Sequence, residues 1–232
     1  MPPRIEQAPP APQPDPQTGQ APETGSLTSL KQGTTDSGAV QSYYDDWADN
    51  YDATLAEWQY SAPDDACDLL VPHLDGGAHV LDVGCGTGLL GRALGKRGRF
   101  AVDGIDISAE SLARAAQRQC YAELIRHDLQ VLPLPVQANR YDAATIVGVL
   151  SYIEDAEALM RDLCRCVRSG GMITFTQRTD FWAARHFAEM IARLERDGLW
   201  IAKQTTPPMP YMPGHADFAD EIKVIHSLCR VA

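Results

Sequence analysis

The chain has 232 residues, enough for one α/β domain with a substantial core. Its net charge of −11 and pI of about 4.9 do not suit a nucleic-acid backbone, so DNA and RNA are excluded as partners. No apolar run is long enough to span a bilayer, and the start lacks the basic-then-apolar pattern of a secretion signal, so the expected location is cytoplasmic and away from membranes.

Residues 1–38 are dense in Pro, Gln, Gly, Thr and Ser and poor in large apolar side chains. Such a segment buries too little surface to offset its chain entropy, and it reads as a disordered tail. Residues 39–232 read as the folded domain, of which 39–75 form a helical cap. Val40–Tyr60 is rich in aromatic residues at helical spacing. Pro63–Leu74 is a further helix with Asp64 and Asp65 at its start. Short apolar runs then alternate with helices. Strands are expected at Ala78–Val83, Ala101–Asp106, Ala122–His127, Tyr141–Leu150, Met172–Gln177, Trp200–Gln204 and Lys223–Arg230. Helices are expected at Leu89–Arg97, Ala109–Gln119, Asp155–Val167 and Phe181–Asp197. Repeated β-α units of this length imply a mostly parallel sheet with helices on both faces. The six cysteines form no CxxC pair and no histidine completes a set beside Cys164 and Cys166, so no metal is expected.

The chemistry begins at Val80-Leu81-Asp82-Val83-Gly84-Cys85-Gly86-Thr87-Gly88. Glycines directly after a strand let the backbone turn sharply and let a ligand approach without meeting a Cβ. Ligands of open α/β sheets bind at the carboxyl ends of the strands, where the strand order reverses. The run Gly86-x-Gly88-x-x-Gly91 also matches the dinucleotide fingerprint. In that fingerprint a pyrophosphate sits on the helix N-terminus, and a carboxylate at Asp82 would oppose it. The same carboxylate suits a cation, and S-adenosylmethionine (SAM) carries both an amino group and a sulfonium. Asp106, ending the second strand, can accept from both ribose hydroxyls; Asp103 competes but falls earlier in that strand. Asp128 after the third strand can accept from an adenine amino group, with Leu129 beside it as apolar contact.

As a set, these residues resemble class I SAM-dependent methyltransferases. LDVGCGTG is similar to their first motif, GIDIS to their second-strand motif and RHDL to their adenine motif. Tyr43–Asp52, the IVGVLSYI strand and Leu194–Leu199 resemble, more narrowly, the methyltransferase-like protein of the Williams–Beuren syndrome region and its bacterial relatives. The resemblance implies a Rossmann-like, seven-stranded, mostly parallel sheet whose last strand, Lys223–Arg230, is antiparallel. It implies that Asp82, Gly84, Gly86 and Gly88 surround the methionine part of SAM. Asp106 and Ile107 then lie at the ribose, Asp128 and Leu129 at the adenine, and Val147 and Gly148 beneath the cofactor. Tyr43 and Tyr51 are candidates for closing over the methionine end. Many relatives carry a histidine where Tyr152 stands, so no histidine base is available at that point.

Methyl transfer from a sulfonium is an in-line displacement with a good leaving group, so alignment does most of the work. The cofactor site is therefore more legible than the acceptor site. Candidate catalytic residues are Tyr152, Arg178 after the fifth strand, and His215 in the loop TPPMPYMPGH. The reading is an enzyme acting on a small-molecule substrate as a monomer or homodimer. A protein substrate, a SAM-binding protein without turnover and a nucleotide-dependent oxidoreductase are the alternatives.

Overall fold

The computed structural model describes residues 33–232 apart from Asp217 and Asp220, so most of the tail expected over 1–38 lies outside the described residues. Helix α1 (Ser37–Glu57) starts where the Asp36 carboxylate accepts from the Ala39 amide at 2.7 Å. Helix α2 (Ala62–Leu70) has Pro63 in its first turn with Asp64 and Asp65, where fixed φ and negative charge both favour a helix start. Then come β1 (His79–Val83), α3 (Leu89–Arg97), β2 (Ala101–Asp106), α4 (Ala109–Gln117), β3 (Glu123–Arg126), β4 (Tyr141–Ile146), α5 (Ala156–Cys166) and β5 (Val167–Arg178). The chain closes with α6 (Thr179–Ala184), α7 (Phe187–Arg196), β6 (Trp200–Thr205), β7 (Met209–Pro210) and β8 (Lys223–Val231).

The sheet runs β3-β2-β1-β4-β5-β8-β6, with the two-residue β7 added on β8. Strands β1 to β5 pair in parallel, and β8 is antiparallel to both β5 and β6. The strand order reverses between β1 and β4, which opens the crevice above their carboxyl ends. Alternation along each strand feeds two cores. On one face Leu81, Val83, Ile146, Ile173 and Phe175 pack against Leu159, Leu163, Met190 and Leu194 of α5 and α7. On the other, Val80, Val102, Ala143, Met172 and Leu228 meet α2 and α3. A third cluster joins Tyr43, Trp47, Leu55 and Trp58 to Tyr211, Met212, Phe218 and Val224.

Four expectations are corrected. The sheet has an eighth strand, the two-residue β7 paired with β8, which itself lies between β5 and β6. Strand β4 stops at Ile146, because Gly148 takes φ +75° and a 3₁₀ turn follows at Leu150–Tyr152. The single helix expected over Phe181–Asp197 is two, divided at His186, whose φ is +52°. Strand β5 begins at Val167 and reaches Arg178, with a register shift opposite Tyr141 and Ala143 that absorbs Ser169-Gly170-Gly171. The two helices expected within 39–75 are both present: α1 crosses the crevice, whereas α2 packs into the sheet face.

Candidate functional site

The glycine turn shapes the crevice. Gly84, Gly86 and Gly88 all have positive φ, and the Gly84 and Cys85 amides both donate to the Ile105 carbonyl at the end of β2. A Cβ at Gly84 would lie 2.2 Å from Val149, so that glycine lets the β4 loop close down on the turn. At Gly86 a Cβ would meet nothing, because its backbone faces open space. Asp106 accepts from the Gly86 amide at 2.8 Å and from the Ser108 amide at 2.9 Å, locking the turn to the next helix. Burial raises its pKa.

A cleft of about 650 Å³ runs from this turn to the loop after β3. It is lined by Tyr51, Gly84, Gly86, Asp106, Ile107, Asp128, Leu129, Val147, Gly148 and Tyr152, all singled out from the sequence. A side extension is lined by Asp82 with Gly84, Gly86 and Thr87. Asp82 is only 2% exposed; its oxygens accept from the Tyr121 hydroxyl at 2.7 Å and the Thr145 hydroxyl at 3.0 Å. Burial lifts its pKa to about 6 against those two hydrogen bonds. The competing Asp103 lies elsewhere, bonded to His79, Arg140 and Tyr141 at 2.9, 2.7 and 3.0 Å. Among the described residues, none of the His, Cys, Asp and Glu side chains groups as a metal site would require.

Besides Arg178, which lines the chamber described below, three expected residues stand outside this cleft. Gly88 is the N-cap of α3, and a Cβ there would press on Arg118, Tyr121 and the backbone of Ala115, so it serves helix packing. Tyr43 turns into the third cluster, edge-on to Tyr44 and Trp47. His215 packs on Trp58 and Phe218, with ring centroids 4.3 and 4.7 Å apart, and does not line the cleft. Tyr44 is the residue that sequence reasoning missed. It stands seven positions before Tyr51, hence on the same helix face, and both line the cleft.

Helix α1 roofs the cleft through one acidic stripe. Asp45 accepts from the Ser108 hydroxyl at 2.6 Å, Asp49 pairs with Arg114, and Asp52 accepts from the Thr87 hydroxyl at 2.6 Å and pairs with Arg118. Beneath its far end lies a chamber of about 400 Å³, lined by Tyr44, Trp47, Tyr51, Leu55, Tyr60, Gly148, Ser151, Tyr152, Arg178, Tyr211, Met212 and Phe218. The chamber shares Tyr44, Tyr51, Gly148 and Tyr152 with the cleft, so the two meet at the end of β4. Arg178 is 4% exposed and stacks between the Phe181 and Phe218 rings, with Asp180 accepting from Nη2 at 2.6 Å.

Open backbone at Gly86, carboxylates at the ends of β2 and β3, and a buried acid beneath the turn form a set that fits an adenosyl ligand carrying positive charge. Known proteins agree. The model of a methyltransferase-domain family matches residues 80–171. Methyltransferase-like protein 27 of Homo sapiens is 32% identical over 188 residues, covering 78% of this chain and 76% of that protein. Ubiquinone biosynthesis O-methyltransferase of Coxiella burnetii is 33% identical over 103 residues, 43% of either chain, so the match spans under half of that enzyme. The solved TehB-like SAM-dependent methyltransferase of Corynebacterium glutamicum shares the fold at a TM-score of 0.59 and 20% identity, covering 80% of this chain and 98% of that one. The chain is a class I SAM-dependent methyltransferase and belongs to the family of methyltransferase-like protein 27.

Proposed function

We propose that the enzyme, as a domain over residues 39–232, methylates a small molecule held in the chamber beneath α1. The observation that carries this reading is the chamber itself, walled by seven aromatic residues and continuous with the cleft at Gly148. A recess walled by aromatic side chains at the reacting end suits a small molecule, whereas a protein acceptor needs an open groove. A relative named for O-methylation in ubiquinone biosynthesis supports the same direction, although the chain spans less than half of it. Six free cysteines suit the reducing cytoplasm.

In this reading Asp128 and Leu129 hold the adenine, Asp106 and Ile107 the ribose, and Gly84 and Gly86 the methionine part, with the Asp82 charge below. Val147 and Gly148 form the floor, and Tyr44 and Tyr51 the roof. SAM supplies an electrophilic methyl carbon on a sulfonium. The chain's own contribution is alignment and exclusion of water, and alignment of this kind is worth about 7–11 kcal/mol. Tyr152 stands where cleft and chamber meet, and Arg178 stands at the chamber wall.

Calorimetry tests the cofactor residues: Asp106→Ala should weaken SAM binding at least tenfold, and unchanged affinity would remove Asp106 from the site. Incubation with methyl-labelled SAM and size-fractionated cell extracts tests the acceptor. Label should enter the small-molecule fraction, and label confined to protein would refute a small acceptor.

A further inference from the structure

Tyr121, between α4 and β3, lines neither the cleft nor its side extension. Glycines on three elements nevertheless make room for its ring. A Cβ on Gly91 of α3 would lie 2.6 Å from Tyr121 Cζ, one on Gly88 of the turn 3.0 Å from Cε2, and one on Gly104 of β2 3.1 Å from Cδ1. Gly88 and Gly91, the last two glycines of the run that matches the dinucleotide fingerprint, thus house a side chain. The tyrosine hydroxyl is used twice: it donates to Asp82 Oδ2 at 2.7 Å and accepts from the Gly91 amide at 3.2 Å. That amide is in the first turn of α3, where the helix offers it no carbonyl, and Gly88 at the N-cap has no side chain to accept from it. The amide's donation in turn polarises the hydroxyl toward Asp82.

Asp82 is held at both oxygens, because Oδ1 accepts from the Thr145 hydroxyl at 3.0 Å. Resting on the function proposed above, we propose that Tyr121 is a positioning residue of the cofactor site: its hydroxyl orients the Asp82 carboxylate and holds it toward the cationic methionine end of SAM. A hydrogen bond to a charged acceptor gives direction as well as affinity. It also favours the charged form. Burial drives the Asp82 pKa up to about 6, the Tyr121 and Thr145 hydrogen bonds oppose that rise in that order, and the Asp106 charge adds to it. The other titratable groups that feel Asp82 are the thiols of Cys67 on α2, Cys85 in the turn and Cys120 beside Tyr121. Burial raises all three above the usual thiol range, so they are neutral around pH 7. Tyr121 is itself raised by burial and by the Asp82 charge, so it keeps the proton that it donates.

The test compares SAM binding to the full chain and to Tyr121→Phe, by calorimetry between pH 5.5 and pH 8.5. Phenylalanine keeps the ring that the glycines house and removes the hydroxyl alone. Without that hydroxyl the Asp82 pKa should rise by about one unit. The variant should then bind SAM about fivefold more weakly than wild type at pH 6, and within about twofold of it at pH 8.5. Taking the ratio of the two proteins cancels whatever titrates in the ligand or elsewhere in the chain. A loss of equal size at every pH would mean that Tyr121 only supports α3, and it overturns the inference, as does an unchanged profile. Adding Tyr121→Phe to Asp82→Asn should change SAM affinity by less than about twofold, since the two residues act as one unit; a further loss there also overturns it. If Asp82→Asn weakens binding at pH 7 and Tyr121→Phe leaves the profile as it was, the role of Tyr121 fails alone. If Asp82→Asn leaves SAM binding unchanged, the assignment of Asp82 to the cofactor fails and this inference falls with it.

Discussion

Asp82 carries charge where little water reaches it, and its pKa of about 6 reflects that. In the role proposed for it, Asp82 attracts the cofactor's cation while ionised above pH 6 and loses that attraction once neutral below it. SAM affinity should therefore fall between pH 7 and pH 5, approaching about tenfold per unit below 6. Asp82→Asn should bind more weakly at pH 7 and lose that slope, and a variant with the wild-type slope would clear Asp82 of the role. The acids at the ends of β1, β2 and the β3 loop were legible because strand ends and glycines fix their place. The choice between Tyr43 and Tyr44 was not: adjacent residues point about 100° apart on a helix, and only packing decides which faces the ligand. The seven-residue interval from Tyr44 to Tyr51 was the available signal.

Helix α1 gains its position from side chains that reach another element. Asp45, Asp49 and Asp52 recur at intervals of four and three, so they share the face that meets α4 and the glycine turn. Exposed ion pairs contribute little, but the hydroxyl donors of Ser108 and Thr87 add charge-assisted bonds of about 1.5–3 kcal/mol each. Replacing Asp45 and Asp52 together by Asn should speed SAM dissociation about tenfold in stopped-flow measurements. An unchanged rate would mean that α1 does not control release. The division of the Phe181–Asp197 helix at His186 had no sequence signal, since no Gly or Pro stands there and the apolar stripe runs on. The end of β4 was blurred for the opposite reason: Val147, Val149 and Leu150 prolong the apolar run past the strand.

For the whole molecule, the alternation of apolar runs and amphipathic stretches was enough for the class of fold and the two-faced core. The place of β8 was not, because strand order depends on long-range pairing that no local pattern encodes. On that strand His226 is 1% exposed, and neither ring nitrogen has a hydrogen-bond partner among the described residues. Burial lowers its pKa from 6.5. In the window below 6.5 the unfolded chain binds a proton that the folded one refuses, so the stability contributed by neutral His226 is present above 6.5 and lost as pH falls. Asp82 titrates in the opposite sense, gaining stability on protonation below about 6. The comparison with His226→Leu isolates the histidine: wild type should lose more Tm between pH 7 and pH 5 than the variant, and parallel curves would show that His226 contributes nothing to the acid limb.

The insertion of β8 between β5 and β6 also sets an order of assembly. Among the described strands, β6 bonds to β8 alone. Residues 200–205 are therefore made before the strand that ties them to the sheet. A chain halted on the ribosome before residue 223 would carry β1 to β5 with an open edge along β5. Completing the sheet over those last strands is the step that both covers this edge and brings Tyr211 and Phe218 down onto the chamber.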